Sequence, residues 1–165
     1  MVVHLRGLLA EIQSLRDAGV DYAGRLHISD RAHIVFDFHQ AVDGYQEQQL
    51  AGKKIGTTLK GIGPAYSSKT QRSGLRVGDL RDMEYFEGRL RSLVGQVERA
   101  HPGLVVDVEA ELKYYTNIRD EILPLVTDSV QYCHEALANG KNILVEGANA
   151  SSKFCQLSLF HVCYH

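Results

Sequence analysis

The chain has 165 residues, 44% hydrophobic and 23% charged, with a formal net charge of -2, the profile of one soluble globular domain able to bury a core. No apolar run approaches the ~18 residues of a membrane span, and the first residues lack a signal peptide's order of basic, apolar and small residues. Membrane and secretory classes are therefore set aside and a cytoplasmic protein is expected. Three cysteines, Cys133, Cys155 and Cys163, are an odd number, which speaks against a disulfide framework and suits a reducing compartment.

In chain order, Leu5, Leu8, Leu9, Ile12 and Leu15 recur at helical spacing and Gly19 is placed to end a helix over residues 5 to 18. Leu26 to Ile28 reads as a short strand. Ser29 or Asp30 can cap a following helix that reaches about residue 50, with Ile34, Val35, Phe38, Val42 and Tyr45 on one face and His33 and His39 along it. Residues 52 to 63 read as an irregular loop. Pro64 suits the first turn of a short helix that carries Tyr66, Lys69 and Arg72 and ends at Gly74. Met83, Phe86, Leu90, Leu93, Val94 and Val97 mark a helix closed by His101-Pro102-Gly103. A helical pattern from Val108 to Leu137 is divided at Pro124. After Asn139-Gly140, residues 142 to 146 read as a buried strand, with Gly147-Ala148-Asn149 past its carboxyl end, where open α/β sheets bind ligands. Residues 151 to 165 fit neither period and read as a disordered tail.

Residues 53 to 76 carry six Lys or Arg and no Asp or Glu, so the other residues sum to -8. Gly56, Gly61 and Gly63 let backbone approach a ligand closely; Thr57, Thr58, Ser67 and Ser68 supply short hydroxyls; Lys60, Lys69, Arg72 and Arg76 supply charge. Lys69 and Arg72, three apart on one helix, would repel unless an anion lay between them. On composition alone the window fits a phosphate cradle and a solvated basic loop equally.

Other chemistries fit less well. Gly56 and Gly61 have Walker A spacing but are followed by Ile62-Gly63, not by Lys and Ser or Thr, so the loop is not that motif. Nucleic-acid binding is not expected, because Tyr66 is the single aromatic among the cations. The cluster of Cys155, His161, Cys163 and His165 has zinc-type donors but no tight pairing, so no metal site is assigned. No histidine has the context of a catalytic triad, and Cys133 reads as a helix core residue.

Gly61 to Arg72, GIGPAYSSKTQR, matches the pattern G-I-G-P-x-Y-x-x-K-x-x-R at every defined position. The blocks Ile28 to His33, Phe36 to Gly44, Ile55 to Thr58, Gly74 to Leu80 and Val145 to Asn149 flank it in a fixed order. In all of these the chain resembles adenylosuccinate synthetase. The resemblance implies an α/β fold with a large central sheet, P-loop-NTPase-like, of which this portion is mostly helical with a few strands. It implies GTP- and magnesium-dependent ligation of IMP and L-aspartate to adenylosuccinate, in purine nucleotide biosynthesis, by a homodimer. By the same resemblance Lys69 is the active-site lysine of the signature and Thr58 contacts the IMP phosphate. Arg72 reaches the IMP of the partner subunit, Asn149 hydrogen-bonds IMP, and Arg76 is a supporting cation.

The family's glycine-rich GDEGKGK-type segment, with its catalytic aspartate and magnesium ligand, its histidine acid and its guanine-selecting element have no counterpart in these residues. The expectation is a partial synthetase domain over residues 1 to 150 with a divergent tail over 151 to 165, an internal fragment. GTP and Mg2+ would be family cofactors whose ligands it lacks. It would be inactive alone, or a truncated isoform that pairs with full-length subunits.

Overall fold

The computed structural model describes residues 1–49 and 58–146. Its helices are α1 (Leu5–Asp17), α2 (Asp37–Gln49), α3 (Ile62–Thr70), α4 (Met83–Ala100), α5 (Val108–Ile122) and α6 (Ser129–Ala138). Its strands are β1 (Val2–Val3), β2 (Ile28–Ser29), β3 (His33–Ile34) and β4 (Val126–Thr127), with 3-10 turns at Val77–Arg81 and Leu123–Leu125. No helix among the described residues is long and apolar enough to cross a membrane. The chain divides into two compact units, Met1–Val130 and Gln131–His165.

In the first unit, helices surround two short parallel pairs, β1 with β3 and β2 with β4. β3 is the hub. On one side Val35 N–H donates to Val3 O (2.8 Å); on the other, Ile34 N–H donates to Leu75 O and Val77 N–H to Ala32 O (each 2.8 Å). An antiparallel bridge sets His33 opposite Arg76. The segment after α3 is thus clipped to the sheet edge, which fixes where its cations can point.

The core is built from Leu5, Ile34, Phe36, Leu75, Leu80, Phe86, Leu90 and Tyr115, each at most 1% exposed. Phe36 stacks on Phe38 with centroids 5.0 Å apart and meets Tyr115 edge-on at 5.1 Å, geometries that complement the ring quadrupoles. Burial pushes the Tyr115 hydroxyl well above the usual phenol range. At the head of α1, His4 Nδ1 accepts from Gly7 N–H (3.3 Å), so its Nε2–H donates to Asp37 Oδ1 (2.8 Å). Arg6 lies 2.8 Å from Asp37 Oδ2, donates to Glu111 Oε1 (3.1 Å) and covers the Tyr114 ring at 3.5 Å. That network ties α1, α2 and α5 together.

Two predicted elements need correction. The helix expected from residue 30 begins only at Asp37, and His33 sits in a strand. Residues Val35 and Phe36 are wholly buried, so a 3.6-residue pattern and a fully buried strand look alike there. In the second unit, Asn139-Gly140 ends α6 as expected, with Gly140 at φ +69, but residues 141–146 form neither helix nor strand. Leu144 and Val145 are 94% and 82% exposed: the run is apolar enough for a buried strand and has no described partner to pair with. The expected division at Pro124 is present, between α5 and β4.

Candidate functional site

α3 is seated by the residue that caps it. Gly61 lies at φ +70, and its N–H donates to Asp43 Oδ2 on α2 (3.0 Å). Two turns on, Ser68 is buried against α2, where its Oγ meets His39 Nε2 at 3.3 Å.

That Ser68 and His39 pair has the elements of a nucleophile and base, and the two side chains line a small cleft of about 110 Å³. Its hydrogen bonds rule out the role. His39 Nδ1 accepts from Phe36 N–H (3.1 Å), so Nε2 carries the proton and donates to Ser68, whose own proton reaches Pro64 O (3.2 Å). A general base needs the opposite tautomer. The pair is a strut between α2 and α3.

Burial lowers the His39 pKa from 6.5 to about 4. The unfolded chain therefore binds a proton between these values that the folded chain refuses, and stability falls as pH drops through that window. The expected loss is roughly 2–3 kcal/mol between neutral pH and about pH 4. Urea melts across this range should show it, and His39→Gln should flatten the slope; an equal slope in the variant would remove His39 as the cause.

At its other end α3 stops at Thr70, with Gln71 as cap and Arg72 in the left-handed region at φ +59. Ser73 and Gly74 both donate their N–H to Ser68 O at 3.0 Å, the closure of a helix whose next residue is normally glycine. Arg72 is therefore not on the helical face of Lys69, as the spacing implied. The fold still brings them together. Lys69, Arg72 and Arg76 line one open cavity of about 410 Å³ with His33, Gly74, Asp79, Tyr85 and Arg89.

None of the three cations has a carboxylate within ion-pair distance among the described residues. Lys69 Nζ lies 5.4 Å from the Tyr66 ring centroid, and Asp79 Oδ2 is taken by Arg76 N–H (2.7 Å). His33 is 7% exposed and its Nδ1 is buried without a hydrogen-bond partner. Burial lowers its pKa, and the neighbouring Arg76 and Lys69 charges lower it further. Lys69, Arg72, Arg76 and Arg89 outnumber the one carboxylate in the lining, Asp79, so the cavity carries a net positive charge with a neutral imidazole in its wall and is suited to a multiply charged anion.

Thr58 is exposed and does not line this cavity. Asn149 and Lys53 to Thr57 lie outside the described residues, as does the Cys155, His161, Cys163 and His165 cluster. His33 and Arg89 were missed: the first was placed on a helix, and nothing local distinguishes an arginine in an amphipathic helix. Among the described residues no three His, Cys, Asp or Glu side chains converge as a metal site.

The family model described as adenylosuccinate synthetase matches residues 1–158. The adenylosuccinate synthetase of Phaeodactylum tricornutum is 52% identical over 92% of this chain and 29% of its own length. The chloroplastic one of Ostreococcus tauri is 51% identical over 92% of this chain and 32% of its own length. The structure of fully ligated adenylosuccinate synthetase from Plasmodium falciparum matches with a TM-score of 0.83 at 38% identity, over 91% of this chain and 35% of that one. The chain thus spans about a third of the length of these relatives.

Proposed function

The chain belongs to the adenylosuccinate synthetase family, and from that premise we propose that it supplies the IMP-phosphate contacts and interface cations of a GTP- and magnesium-dependent ligase joining IMP to L-aspartate. One observation carries the reading: the signature from Gly61 to Arg72 and the segment after it fold so that Lys69, Arg72 and Arg76, none ion-paired to a carboxylate among the described residues, line one cavity. A nucleotide phosphate is what such a field binds, and stabilising transferring phosphoryl charge is the main electrostatic work of this chemistry.

In this proposal Lys69 is the active-site lysine, Arg72 meets the IMP phosphate of the partner subunit in a homodimer, and Arg76 supports both. Thr58 and Asn149 are IMP contacts by resemblance. The compartment is cytosolic, supported by the odd cysteine count, although three matched relatives are named chloroplastic. A single aromatic beside the cations favours a nucleotide over a nucleic-acid strand.

In this reading the family's catalytic aspartate, histidine acid and guanine-selecting element lie outside the part of the enzyme that these residues resemble. The purified chain, supplied with GTP, IMP, aspartate and magnesium, is therefore expected to form no adenylosuccinate and yet to bind IMP; product formation would overturn the first expectation. The second reading is a non-catalytic form that pairs with full-length subunits, favoured by Arg72 and Arg76 having no ion-paired carboxylate among the described residues. Mixing the chain with an intact synthetase decides it: co-purification with loss of activity supports the reading, and no association leaves only IMP binding.

A further inference from the structure

We propose that Arg89, on α4, is the positioning residue of the anion-binding turn: it holds the backbone from which Arg72 projects. The inference rests on the IMP reading for its consequence and on geometry for its cause. Arg89 Nη2 donates to Arg72 O at 2.8 Å and lies 3.5 Å from Gly74 O, the two carbonyls that flank Ser73. Nothing in α3 can satisfy these carbonyls, because the helix has already ended and its closing N–H groups turn back to Ser68 O.

The turn needs holding. Arg72 is at φ +59, a conformation that costs a non-glycine residue roughly 1–2 kcal/mol and persists only where its surroundings impose it. A guanidinium suits the task, since one nitrogen, Nη2, makes both contacts from a fixed place in a planar group, whereas an ammonium is a mobile point charge on a flexible stem. Arg89 also brings a fourth positive charge to a cavity already lined by Lys69, Arg72 and Arg76. Repulsion alone would drive it away, so its attachment to the turn explains why it is there.

The test separates a positioning role from that of one more cation facing the ligand. IMP and inorganic phosphate would be titrated calorimetrically into the chain and into Arg89→Lys, Arg89→Met, Arg72→Ala and the Arg72→Ala/Arg89→Lys pair. Amide exchange at Ser73 and Gly74 would be followed in the same proteins. Positioning predicts that Arg89→Lys, with charge unchanged, weakens IMP by about five-fold or more, and that in the pair it adds nothing to Arg72→Ala. It also predicts several-fold faster exchange at Ser73 and Gly74 with the rest of α4 unaltered. Full affinity in Arg89→Lys with loss in Arg89→Met would make Arg89 a ligand cation and overturn the proposal, as would unchanged exchange. If Arg72→Ala binds IMP like the parent, the IMP reading fails, while faster exchange in Arg89→Lys still shows that Arg89 holds the turn.

Discussion

Glycine in place of Arg72 is expected to make the chain more stable and to cost it most of its affinity for IMP. Arg72 occupies the position just past the cap of α3, where glycine is the usual residue, and it does so at φ +59. Removing the side chain relieves roughly 1–2 kcal/mol of backbone strain, partly offset by the greater freedom of glycine in the unfolded chain. The net gain should be about 0.5–1 kcal/mol, a rise of roughly 1–4 °C in Tm. The lost guanidinium removes a charge-assisted hydrogen bond to phosphate worth about 1.5–3 kcal/mol, a weakening of roughly ten-fold to a hundred-fold. Thermal melts and IMP titrations on one preparation read both effects. A lower Tm would show that the turn carries no strain, and unchanged affinity would remove Arg72 from the IMP site.

The second large effect is at Gly61. A Cβ added there would stand 2.7 Å from both Gln40 N and His39 C, backbone atoms of α2 that no rotamer change can move. The position also lies at φ +70, and its N–H donates to buried Asp43. Overpacking and the left-handed conformation together predict a loss of roughly 3–5 kcal/mol for Gly61→Ala, a large part of the 5–15 kcal/mol that usually separates a folded chain from its unfolded state. Since α3 is displaced from α2, the cavity should lose its anion affinity as well. Gly88→Ala is the control: its Cβ meets nothing within 4 Å, and alanine in α4 should stabilise by about 0.8–1 kcal/mol. A Gly61→Ala protein melting within a degree or two of the parent would show that α2 and α3 are not packed as described.

These two glycine and arginine positions mark what could be read in the sequence and what could not. The order of residues from Gly61 to Arg72 was legible as the signature of the family whose model matches the chain, because a run of specified residue types survives in sequence without any knowledge of the fold. Amphipathic helices α1 and α4 were legible from their apolar period. Of the two-residue strands only β2 was touched, by the stretch Leu26 to Ile28; the others were not, since each is defined by hydrogen bonds to a partner far along the chain and carries no period of its own. Arg72 was expected beside Lys69 on a helix, and the structure puts it beyond the helix end, where a reading by spacing places no reactive side chain. Arg89 left no signal, because its contacts to Arg72 O and Gly74 O exist only once α4 is packed against the turn. Residues 143 to 145 misled for the opposite reason: local apolarity was real, but pairing is not local.

The same non-local pairing sets a timetable. β2 can join β4 only through the register Ile28 with Val126 and Ser29 with Thr127, so nearly a hundred residues of chain lie between partners. At synthesis rates of roughly 5–20 residues per second, the Ile28 edge emerges and waits about 5–20 seconds before its partner strand exists. During that interval the β1 and β3 pair, closed by residues 2 to 34, can already form. The nascent chain is therefore expected to pass through a stage with one pair closed and the other open, and the most vulnerable moment of its life comes before Val126 has been made.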